Sequence, residues 1–241
     1  MAVDQAGAKS EGSSWLRWGS TLPGRSDPWT DLGLTLPIFL GYHLGVIFLD
    51  KINAADFVTS NLVALSHSSV LGYWGLTLGA GAALVLVLVV LGRGKKLSWV
   101  RFATIVAEGA VYATLMKIAA VYVVGSLRLG PSGGSFLEGT VMSLGAGFYE
   151  ELAFRVVLFG LGARLLTLVL SRHKLLVAIG WAVVTSAIFS AWHYVGGETF
   201  RMDSFVFRWV CGLCFVVIYW LRGFAPAVWT HALYDFWVLA L

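Results

Sequence analysis

A helix that crosses a bilayer needs around 20 mainly apolar residues, and this sequence offers about seven such runs. They cover residues 32–49, 71–92, 102–125, 141–170, 175–194, 205–221 and 225–241. The chain is 58% hydrophobic and only 12% charged, against roughly 25% charge in soluble domains. Most of it therefore belongs in a membrane, and the expected fold class is an all-α, polytopic transmembrane helical bundle of about seven spanning helices. The net charge of +4 does not call for nucleic acid. It is accounted for by Lys and Arg in short loops on one side of the bilayer.

Residues 1–29 are rich in Gly, Ser and scattered charges and carry no apolar segment of a signal peptide. They are expected to form a mobile cytoplasmic tail, with Trp15, Trp18 and Trp29 at headgroup level. Residues 30–241 form the membrane domain. The tail, the loop around Arg93 to Arg101, the basic end from Arg164 to Lys174 and Arg222 place most cations on one side. Only Lys51, Arg128, Arg201 and Arg208 are left to the other, so the N-terminus is expected in the cytoplasm. Cys211 and Cys214 lie inside an apolar run without a second pair and read as small buried hydrophobes.

Against this background one cluster stands out. Glu150, Glu151 and Arg155 interrupt the fourth run, where each charge at bilayer depth costs roughly 2.5–3.5 kcal/mol on insertion scales. Such groups face a wet, protein-lined cavity or pin neighbouring helices together. Glu151 and Arg155, at i and i+4, share a helix face and can pair. Successive residues point about 100° apart, so Glu150 has no cation in its own turn and is the candidate general base.

Further along, His193 follows Phe189 by four residues near the end of the fifth run. An imidazole within reach of a carboxylate can orient a water between them. His231 and Asp235 stand one turn apart in the last run, where Asp235 can set the tautomer of His231. Lys117 is expected to find a carboxylate on another helix, Glu151 or Asp235, or to snorkel outward. His43 and His67 read as structural. Ser143 and Ser190 lie near these residues but lack an activating Gly-x-Ser-x-Gly setting, and His-Glu-x-x-His is absent.

Glu150-Glu151-x-x-x-Arg155, Phe189-x-x-x-His193 and His231-x-x-x-Asp235, in this order on separate apolar runs, resemble the CPBP family of intramembrane glutamic proteases. That family includes the type II CAAX prenyl endopeptidases and the bacteriocin-processing Abi proteins. The resemblance covers residues 135–241, the motif-bearing core. It implies that Glu150 with His193 activates a water, that His231 and Asp235 stabilise the oxyanion, and that Glu151 and Arg155 support the first motif. It further implies no cofactor, a peptide or lipidated protein substrate reached from membrane lipid, and a multi-pass protein of a bacterial inner membrane. The familiar eukaryotic members have Asn where this chain has Asp235; an ionised Asp cannot donate a hydrogen bond, so His231 is the stronger donor.

Two other uses of the same residues remain open at this point. Two His and a carboxylate with an open position suit catalytic zinc, and buried carboxylates and histidines suit a proton relay in a transporter. A simple serpentine also sets His193 and His231 about 10 Å apart in depth, at 1.5 Å per residue. A shared site then needs a tilted or broken helix, at 145–147 or at Pro226.

Overall fold

The computed structural model describes residues 27–49, 51–67, 69–91, 98–124, 135–195 and 198–241; the expected tail and its Trp15 and Trp18 fall outside these. Among the described residues all regular structure is helical. The helices are α1 (Pro28–Val46), the short α2 (Thr59–Leu65), α3 (Val70–Leu91), α4 (Trp99–Val124), α5 (Phe136–Val169), α6 (Lys174–Trp192), α7 (Met202–Arg222) and α8 (Phe224–Leu239).

Their ends follow from local chemistry. Asp27 accepts hydrogen bonds from the Thr30 backbone N–H and hydroxyl, and Pro28 occupies the first turn, where a missing N–H costs nothing. The helix therefore begins before the boundary expected at residue 30, and Trp29 belongs to it. Ser135 caps α5 by accepting from the Glu138 backbone. Within α5, residues Ala146–Leu161 are wound as a π-helix, with i→i+5 bonds in place of i→i+4. The two glutamates lie in this wider stretch.

Among the described residues four helices are long and apolar enough to cross a membrane: Trp99–Ala120, Phe136–Val169, Lys174–Trp192 and Met202–Arg222. This is an integral membrane protein, but the expected seven spans are not all met. The last apolar run becomes a helix of 16 residues, about 24 Å at 1.5 Å per residue, short of a hydrocarbon core of about 30 Å. The first run folds as α1, of 19 residues, with Asp31 buried and Pro37 inside. The second folds as α3, which also lies outside the four.

The short α8 is the centre of the bundle rather than a peripheral strut. It packs against α4, α5, α7 and α1, and Ala225, Ala227 and Val228 on it are fully buried. Tyr42 and Ile38 of α1, Val141, Phe148 and Tyr149 of α5, and Phe224, Val228 and Ala232 of α8 form the main core. Large apolar side chains on the outer helices, among them Val111, Leu115, Leu168 and Leu176, are exposed, the distribution expected where lipid rather than water is the solvent.

Two glycines position α8. Gly223 has φ 105°, a left-handed value that favours glycine, and lets α8 start directly after α7; a Cβ there would clash with Asp31 Oδ2. Gly147 faces α8 so closely that a Cβ would meet Ala232 Cβ at 2.6 Å and Val228 O at 2.9 Å. The chain thus turns at Gly223 rather than breaking at 145–147 or Pro226. Pro226 sits in the first turn of α8, where no intrahelical N–H is required of it.

Candidate active site

Glu150 is presented by the π-wound part of α5, and its two carboxylate oxygens have different surroundings. Oε1 accepts a hydrogen bond from Asn53 Nδ2 at 2.9 Å. Oε2 is buried and makes no hydrogen bond within the protein, yet lies 3.9 Å from Nε2 of His193 and 3.9 Å from Nε2 of His231. A buried acceptor without a protein partner requires an explanation, and one water can reach all three atoms at this spacing.

The imidazoles are held by their other nitrogens. His193, at the C-terminal end of α6, donates from Nδ1 to the Phe189 carbonyl at 3.0 Å, so in its neutral form Nε2 carries a lone pair toward Glu150. His231 on α8 meets Glu151 Oε1 through Nδ1 at 2.7 Å. The tautomer of His231 is therefore set by Glu151, not by Asp235 as spacing within one helix suggests. Asp235 Oδ2 stands 3.5 Å from Nε2 on the other side.

Glu151 is also the anion for Arg155, whose Nε is 3.2 Å from Oε2, with both side chains essentially inaccessible. The guanidinium carbon lies 4.2 Å from the ring centroid of Phe189 and 5.0 Å from that of Phe215, so two aromatic faces stabilise it. Phe215 stacks on His231 with centroids 4.4 Å apart, and Phe189 meets His193 edge-on at 5.0 Å. One pair of rings thus packs against both histidines and the buried arginine.

A cavity of about 270 Å³ is lined by Glu150, His193, His231 and Asp235, with apolar walls from Met142, Phe207 and Val238. The sequence-predicted residues are brought together here although they come from three helices, and both imidazoles reach the same Glu150 oxygen despite the offset expected of a simple serpentine. The serpentine estimate assumed spans of full bilayer length, which α8 does not have.

Other polar residues lie elsewhere. Lys117 Nζ sits 4.3 Å from the Trp237 ring centroid, not against Glu151 or Asp235, since a ring face satisfies a lone cation. Glu108 binds Arg222 with an Nη2–Oε2 distance of 2.8 Å. His43 is fully buried between the hydroxyls of Tyr73 and Tyr149 at 2.7 and 2.6 Å. Asn53 was not foreseen. It lies 97 residues from Glu150, and no spacing rule connects a loop amide to a helix so distant in sequence. Among the described residues no three His, Cys, Asp or Glu side chains form an arrangement able to hold a metal ion.

Compared with known proteins, residues 132–237 match a family model, that of type II CAAX prenyl endopeptidase Rce1-like proteins. The match spans less than half of the chain and includes every residue named in the three motifs. No curated protein and no solved structure matches the chain.

Proposed function

From a chain whose residues 132–237 match the family model of type II CAAX prenyl endopeptidase Rce1-like proteins, we propose an intramembrane endopeptidase in which Glu150 and His193 activate the attacking water. The substrate is a membrane-tethered peptide or lipidated protein, cut near a lipidated or hydrophobic C-terminal segment. The working unit begins with α1, ahead of the boundary expected at residue 30, and has its core at 135–241; it lies in a bacterial inner membrane with the N-terminus cytoplasmic.

The observation that carries this reading is Glu150 Oε2, buried, unbonded within the protein and 3.9 Å from each imidazole. A water held there donates one hydrogen to Glu150 and the other to His193 Nε2. Its oxygen attacks the scissile carbonyl as Glu150 takes the proton, and that proton passes to the departing amine. The tetrahedral oxygen needs a donor aimed at it, an interaction worth roughly 3–4 kcal/mol. With Nδ1 committed to Glu151, His231 donates from Nε2 as an imidazolium whose charge Glu151 balances. Asp235, near that same Nε2, acts through His231 and not as a donor of its own.

The test is cleavage by purified protein in detergent of a quenched-fluorescent peptide ending in a farnesylated cysteine and three further residues. Glu150→Gln and His193→Ala are expected to abolish cleavage while circular dichroism and thermal unfolding stay close to wild type. Full activity in both variants would overturn the mechanism. A peptide identical but for the prenyl group distinguishes lipid recognition from recognition of an apolar C-terminus.

A further inference from the structure

Asn53 lies in the segment between α1 and α2, outside the family-matched residues, and the residue is 5% exposed. Its amide is fixed from both ends. Oδ1 accepts from the Ala55 backbone N–H at 2.9 Å, the two-residue offset of an Asx turn. That bond leaves the NH2 group to point the other way, at Glu150 Oε1.

The turn itself is anchored. The Asn53 backbone N–H donates to the Tyr42 hydroxyl at 3.1 Å, and that hydroxyl donates to Asp56 Oδ2 at 2.7 Å. Asp56 Oδ1 accepts from the backbone of Val58 and Thr59 at 2.8 and 2.9 Å, and the Thr59 hydroxyl donates to Oδ2. The amide donor is thus held by a buried network rather than offered by a loose loop.

The terminal torsion of a glutamate is broad and roughly two-fold. Without a fixed partner the carboxylate of Glu150 samples orientations that point neither oxygen at the imidazoles. We propose that Asn53 is a positioning residue for the reaction, holding Oε1 so that Oε2 is directed at the midpoint between His193 and His231. This rests on the protease reading, in which Glu150 is the base.

Asn53→Asp separates positioning from loop building. The new carboxylate still accepts from Ala55, so the turn is kept, but an acceptor now faces Glu150 in place of a donor. Cleavage of the farnesylated peptide at neutral pH is expected to fall at least about tenfold in kcat, and by no more than the roughly 10²–10⁴ that a positioned base contributes, with KM unchanged. Activity should recover in part as pH falls and a shared proton restores a donor between the two carboxyls. A residue that only shaped the loop would leave Asn53→Asp at the wild-type rate with an unshifted pH profile.

Glu150→Gln in the same assay keeps the two ideas apart. Asn53→Asp at wild-type kcat beside an inactive Glu150→Gln overturns the positioning role and leaves the protease reading standing. Glu150→Gln as active as wild type overturns the reading itself. A second readout needs no substrate: the infrared carboxylate band that disappears in Glu150→Gln should shift in Asn53→Ala, and an unmoved band overturns the inference.

Discussion

Glu151 has two partners, His231 Nδ1 at 2.7 Å and Arg155 Nε at 3.2 Å, and a neutral replacement affects them unequally. Glu151→Gln still accepts from the imidazole through its amide oxygen but leaves a buried guanidinium without an anion, a loss of about 3–5 kcal/mol. Adding Arg155→Met removes the stranded cation, and a buried pair replaced by neutral groups of similar volume is often tolerated. The expected outcome is that the double variant regains most of the thermal stability lost in Glu151→Gln but none of the cleavage, because His231 still lacks the charge that supports its imidazolium form. Equal recovery of both would mean that Glu151 serves stability alone. The pairing of Glu151 with Arg155 was legible in the sequence, since i,i+4 neighbours share a face. The bond to His231 was not, because the partners are 80 residues apart and helix periodicity says nothing about which side chains meet across helices.

Among the elements, α5 and α8 determine the site, and what brings them together is the missing side chain at Gly147. A Cβ there meets Ala232 Cβ at 2.6 Å and the backbone of Ala232 and Val228 at 2.9 Å, next in sequence to His231. Gly147→Ala must push α8 outward and carry His231 away from Glu150. Overpacking of this kind costs about 1–3 kcal/mol, measurable as a lower unfolding temperature in detergent, and cleavage should fall further than that stability loss explains. Ala232→Gly removes the nearest of the clashing atoms, so the pair is expected to be non-additive, the double variant more active than Gly147→Ala alone. The apolar runs indicated helices in about the right places, yet element geometry was only half visible. The sequence reading took 100° steps through Glu150 and Glu151, whereas the chain there is π-wound, and the last run, though apolar enough for a full span, ends as the short, central α8.

On the scale of the whole molecule, the orientation of α8 is set where α7 turns into it, and that turn is clamped from two sides. Arg222, the last residue of α7, is held by Glu108 of α4. Two residues later the Phe224 backbone N–H donates to Asp31 Oδ2 of α1 at 2.7 Å, so a residue 193 positions away caps the start of α8. Neither tie has a local signature in the sequence, where Glu108 is an isolated charge in an apolar run and Asp31 and Arg222 stand just outside the ends of two others. A lost N-terminal cap costs about 0.5–2 kcal/mol, and a lost hydrogen bond to a charged group about 1.5–3 kcal/mol, less here because the Arg222 side chain is 26% exposed. Because His231 lies two turns into α8, either loss should loosen the catalytic geometry before the bundle unfolds. Asp31→Ala and Glu108→Gln are therefore expected to keep wild-type cleavage at low temperature and to lose it on warming, at temperatures below their unfolding midpoints. Combining them should lower the inactivation temperature by more than the sum of the single shifts, as both restrain one three-residue turn. Inactivation that coincides with global unfolding in each variant would show that the turn stabilises the bundle without governing the site.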